Sequence, residues 1–211
     1  NLIEKNKSKT FFEINKIEVK KLLEIWPKNL KDSVFFWMKA NSSGKIFNFS
    51  MSNDIFDVYD NVNFSNLKGR FDFVNTEIRY LQSMPDIIEI KGEAKIEDSS
   101  IVFNIASGES NNLLIRNGFV KLYDLNSDFE KANVNLDIVC KNKDLIKYLD
   151  TSPINKKSYA KVRDIIGDVS INLDLDFPLI LDLPLENLKY KASVKTNNSL
   201  LGNLIQDINL N

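Results

Sequence analysis

The chain has 211 residues, with 28 Lys plus Arg against 29 Asp plus Glu, for a formal net charge of −1. That balance lacks the basic excess that drives nucleic-acid binding, so no nucleic acid is expected as a partner. With no His and one Cys, the chain has no Ser-His or Cys-His dyad, His-ligated zinc, Cys metal cluster or internal disulfide, while 43% apolar and 27% charged residues describe a folded chain.

The N-terminus shows no basic-then-apolar leader pattern, and the longest apolar run, Val34 to Met38, is far short of a membrane-spanning helix. The sequence opens on Asn rather than Met and enters a patterned segment almost at once. It therefore reads as a single fragment, 1–211, of a longer protein, with any targeting or anchoring segment outside it.

A first helical zone follows an opening strand. Val19, Leu22, Leu23 and Trp26 recur at helical spacing until Pro27 stops the turn, and a second helical segment runs from Leu30 to Met38, before Gly44. Period-two alternation then takes over. Phe47, Phe49 and Met51 form one apolar phase, Phe71 and Phe73 the next, and Ile88, Ile90, Ala94 and Ile96 a third. Ile101, Phe103 and Ile105 come after a turn at Asp98-Ser99-Ser100, followed by Leu113 with Ile115, Val120 with Leu122, and Val134 to Cys140. A second helical zone holds Leu145, Ile146 and Leu149, with Asn142 in the cap region, and then Tyr159 to Ile166 after Pro153. Ile171, Leu173, Leu175 and Phe177, then Leu188 to Val194, close the strand set.

The helical zones echo each other. Leu22, Leu23 and Gly44 return as Leu145, Ile146 and Gly167, each 123 residues on, within the same order of strand, helix, helix, Gly and strand. The expected organisation is two related units, about 10–125 and about 126–200, with no linker between them.

Few residues offer chemistry. Ser65-x-x-Lys68 and Ser158-x-x-Lys161 have the spacing of a Ser-Lys nucleophile pair, but the Ser-Asp-Asn and Lys-Thr-Gly elements that accompany it are missing. Asp174 and Asp176 share one strand face and read as its wet side, and Cys140 continues an apolar phase as a small buried hydrophobe. No enzyme activity, metal or cofactor is expected. The unusual feature is an excess of apolar strand faces over helices able to cover them. A sandwich, a barrel or an open curved sheet with an apolar groove would each solve that problem.

The segment Leu22-Leu23-Glu24-Ile25-Trp26-Pro27, followed by Trp37 and Gly44, resembles the opening of a domain in AsmA-like proteins of the YhdP branch. Gly69-Arg70-Phe71-Asp72-Phe73, Ile78-Arg79-Tyr80-Leu81, Met84-Pro85 and Ile90-Lys91-Gly92 are similar to its central stretch, Ile101 to Gly108 to the next strand, and Asp144 to Leu149 to a later short helix. The likeness runs over roughly residues 12 to 195.

It implies a mainly β, α+β chain: a curved antiparallel sheet forming an open, taco-like groove, with two short helical zones. It also implies a periplasmic module of a Gram-negative envelope protein, anchored in the inner membrane by a helix outside this fragment and flanked by neighbouring repeats. Such a module would hold phospholipid acyl chains in passage between inner and outer membranes. The residues expected to line its groove are Phe71, Phe73, Ile90, Ile101, Phe103, Ile105, Val134, Leu136, Ile138, Ile171, Leu173 and Leu175. The alternative is a structural β-scaffold or protein-binding module of the envelope.

Overall fold

In a computed structural model the structure describes residues 8–25, 32–55, 65–80, 83–153, 159, 162–163, 165–180, 183–184, 187–197 and 206–209. The elements run β1 (Ser8–Glu18), α1 (Val19–Glu24), α2 (Asp32–Asn41), β2 (Ser42–Ile55), β3 (Leu67–Ile78), β4 (Ile87–Glu97), β5 (Ser100–Ser110), β6 (Leu113–Tyr123), β7 (Lys131–Lys141), α3 (Asn142–Thr151), β8 (Asp168–Pro178), β9 (Lys189–Asn197) and β10 (Gln206–Asn209). The strands form one antiparallel meander in sequence order, β1 to β10, and the sheet does not close into a barrel. This is the mainly β, open curved sheet with short helices that the resemblance implied, and it decides among the three arrangements that the strand pattern left open.

Local chemistry explains the hairpins. Asp98-Ser99 and Asn111-Asn112 each supply two consecutive residues of positive φ, which matches the right-handed twist of the strands that they join. Gly92 is required by packing: a Cβ there would lie 2.0 Å from the Asn104 carbonyl oxygen and 2.7 Å from the Phe73 ring. Its bare backbone lets the Phe73 ring lie across β4.

Irregular residues change which face an alternating residue takes. Asn48 (φ 51) switches the phase of β2, so Ile46 and Phe49 are buried while Phe47 lies opposite Asp72 under the Lys16 ammonium. Phe47 therefore leaves the face expected for it beside Phe49 and Met51. Glu89 (φ 54) does the same in β4: Ile88 is exposed, and Ile87 packs toward the core. Gly118 (φ 152) and the register shift between Ile115 and Asn117 join what alternation read as two short segments into one strand, β6. In β1 the inward residues Ile14 and Ile17 have opposite parity, which hid this strand from a period-two count.

All three helices sit at the same end of the strands, here called the upper rim. α1 buries Val19, Leu22 and Leu23. α2 is described over Asp32–Asn41, and Trp26-Pro27 and the expected start at Leu30 lie outside the described residues. The α3 cap is Lys141, not Asn142; Asn142 is the first helical residue, and its amide donates to the carbonyls of Val162 and Ile165, tying α3 to its return segment. At the lower rim the amide of Asn126 donates to the hydroxyls of Ser65 and Ser99, clasping three successive connections above the fully buried Leu125.

Candidate apolar groove

The hairpin register aligns the inward side chains into rows that cross the sheet. One row runs Phe71, Ala94, Phe103, Val120, Val134, Leu175 and Tyr190, from β3 to β9. A second runs Phe73, Gly92, Ile105, Gly118, Leu136, Leu173 and Ala192 over the same strands. Above them lie Ile115, Ile138, Ile171 and Val194. All twelve expected groove residues stand on this one face, with Ile90 and Ile101 in the adjoining positions of β4 and β5.

Aromatic rings bind the left half of the groove together. Phe71 and Phe73, on β3, each place a ring 6.1 Å from Phe103, on β5, over the small residues Ala94 and Gly92. Two strand intervals separate these backbones by about 9.6 Å in a flat sheet, so the rings converge over the intervening strand. Phe49 continues the cluster at 5.9 Å from Phe71, and Phe12 at 6.1 Å from Phe49. Each such pair adds about 0.5–1.5 kcal/mol beyond the area it buries.

Burial divides the twelve. Phe71, Phe73, Ile90, Ile101, Ile105, Val134, Leu136, Ile138 and Ile171 are buried by their neighbours. Phe103, Leu173 and Leu175 are half-buried, and so are Val120, Leu122, Phe177 and Tyr190 beside them. The accessible apolar surface of the rows is thus concentrated on the lower halves of β5, β6, β8 and β9. Val120, Leu122, Phe177 and Tyr190 were missing from the expected set, although the alternation that placed Leu173 and Leu175 also marks them.

No carboxylate or amine stands on the rows described. The carboxylates and amines of β7 and β8 take the alternate, outward positions. The amides of Asn133 and Asn135 donate to Asp174, and the Tyr123 hydroxyl donates to Asp176, so both carboxylates belong to a polar ladder on the outer face. Cys140 is buried in the apolar phase, and burial, then the Asp144 charge, pushes its thiol up to about 11, leaving it protonated at neutral pH. Ser65 is held in the lower-rim clasp, and Ser158 and Lys161 lie outside the described residues. Among the described residues no group of three or more His, Cys, Asp or Glu could hold a metal ion, and no helix is long and apolar enough to cross a membrane.

Above the groove, α3 turns back from the end of β7 and packs Ile146, Tyr148 and Leu149 onto the core cluster, with Leu145 buried in it. The hydroxyls of Tyr148 and Tyr80 are hydrogen-bonded, and the Thr151 hydroxyl lies 4.0 Å from the Met84 sulfur. α3 therefore meets the β3–β4 connection, three to four strand positions away. These loop and helix residues carry no periodic signature, and the sequence did not single them out as a pair. Comparison with protein-family models, with characterised proteins and with solved structures finds no match to this chain.

Proposed function

We propose that this chain is a non-enzymatic module of an envelope-spanning, AsmA-like protein, holding lipid acyl chains in an apolar β-groove for phospholipid transport between inner and outer membranes. The observation that carries this reading is the row from Phe71 to Tyr190, apolar across seven strands and half-buried at Phe103, Val120, Leu175 and Tyr190. At about 4.8 Å per strand interval the row measures about 29 Å, close to the hydrocarbon thickness of a bilayer and so enough for two acyl chains end to end. Each methylene laid against it gains about 0.8 kcal/mol. Apolarity repeats from strand to strand, so a chain can slide with small changes in energy, while the headgroup stays in water at the open side. The module would sit in the periplasm, between neighbouring repeats, with its inner-membrane anchor outside these residues.

A second reading, a structural β-scaffold, is favoured by one observation: nine of the twelve groove residues are already buried by protein contacts. Native mass spectrometry of the purified chain, with lipid extraction, separates the two. Near-stoichiometric phospholipid, lost in Phe103→Asp with strand content intact, supports the groove. A lipid-free, monodisperse protein in which Phe103→Asp unfolds the sheet supports the scaffold.

A further inference from the structure

We propose that α3 is a latch on the groove: the Tyr80–Tyr148 hydroxyl pair, with Thr151 against Met84, holds the helix over the upper rim and sets how fast bound lipid leaves. The inference rests on the acyl-chain reading above and concerns its regulation.

Three features carry it. The first is reach. α3 starts at β7 and touches the connection between β3 and β4, so it passes the ends of β6, β5 and β4 on the way. The second is the nature of the contact. Leu145 is buried and anchors the start of the helix, Ile146, Tyr148 and Leu149 pack on the core cluster, and Asp150 is held by Tyr159 and Arg163, whereas the side-chain contacts across to the β3–β4 connection are a hydroxyl pair and a hydroxyl–thioether approach. The Thr151 hydroxyl donates to the Tyr148 carbonyl at 2.7 Å, so the polar joint across to the connection is one neutral hydrogen bond, which can part while the apolar packing of α3 stays in place. The third is a firm anchor on the opposite side. The Arg79 guanidinium grips Asp86 through two bonds of 3.1 Å each, and the Arg79 amide donates to the Asn41 carbonyl at the end of α2. The receiving side of the latch is thereby fixed to the first helical zone.

The test loads the chain with NBD-labelled phosphatidylethanolamine from phosphatidylcholine vesicles, then times its release to acceptor vesicles. Tyr80→Phe and Tyr148→Phe should each release about two- to tenfold faster at unchanged loading. The double variant should be no faster than either single one, because each removes the same bond. A bismaleimide bridge between Tyr80→Cys and Tyr148→Cys, in a Cys140→Ala background, should slow release relative to the unbridged protein. Normal loading with unchanged release in both Phe variants overturns the latch. An unsubstituted chain that takes up no lipid overturns the groove reading and the latch with it, and loading is read before release, so the two failures are distinct.

Discussion

Gly44 and Gly167, 123 residues apart, hold the same place in two hairpins: each has positive φ, +132° and +123°, and each directly precedes a residue that pairs with the last residue of the preceding strand. Those pairs are Glu18 with Lys45 and Lys141 with Asp168, the same positions with the charges exchanged. The two glycines differ in surroundings. A Cβ on Gly44 would lie 2.7 Å from the Thr76 Cα, whereas one on Gly167 would meet nothing within 4 Å. Gly167→Ala should therefore cost only its backbone strain, about 1–2 kcal/mol, and Gly44→Ala about 2–4 kcal/mol. Urea denaturation of both variants measures the difference.

The Gly92 site sets a stricter limit. A methyl group there meets a carbonyl oxygen of the neighbouring strand at 2.0 Å, and backbone cannot yield as a side-chain tip can. Gly92→Ala is expected to lose about 3 kcal/mol or more, and to disturb the Phe71–Phe73–Phe103 cluster. Thermal unfolding gives the loss, and near-ultraviolet circular dichroism reports the aromatic packing.

Leu125 and Phe129 belong to one connection and have opposite environments. Leu125 is 0% exposed beneath the lower-rim clasp, and Phe129 is 77% exposed. Leu125→Ala should destabilise by about 2–5 kcal/mol, and Phe129→Ala should change stability by less than about 0.5 kcal/mol. Equal effects in chemical denaturation would contradict this placement of the connection.

Acid should loosen the receiving side of the latch. The hydrogen bonds from Arg79 hold the Asp86 carboxyl below its usual 3.8, so the folded state favours the ionised form. The contribution is present above the ordinary carboxylate range and is lost as pH falls through the lowered folded value. The protection of the Tyr80 and Met84 amides relative to their intrinsic exchange rate at each pH should fall below pH 4, and Asp86→Asn should show the low protection at every pH. Protection in the variant that still steps down with acid would rule the pair out as the cause.

The Cys140 thiol, pushed up to about 11 by burial, should resist a thiol reagent in the native protein at pH 8 and react at once in denaturant. Rapid native labelling would show that the groove near Cys140 opens to solvent.

The strands of regular phase were legible from residue order alone. From Val134 to Cys140 and from Ile171 to Phe177, inward and outward residues follow the alternation without a break, because no positive φ interrupts β7 or β8. Phe47 and Ile88 were misplaced because a single residue of left-handed backbone, Asn48 or Glu89, reverses the parity beyond it. Asn tolerates that conformation and so leaves a faint trace in sequence; Glu leaves none.

The sequence by itself determined that this chain is built of strands with one apolar face each, and that it holds no histidine and no internal disulfide. Period-two patterning and composition are local properties, and each strand carries its own share of them. Tertiary structure alone decided which part of that face stays accessible, and that α3 reaches back to Tyr80. Both depend on how far strand ends and loops approach one another across the sheet, a distance that no local pattern encodes.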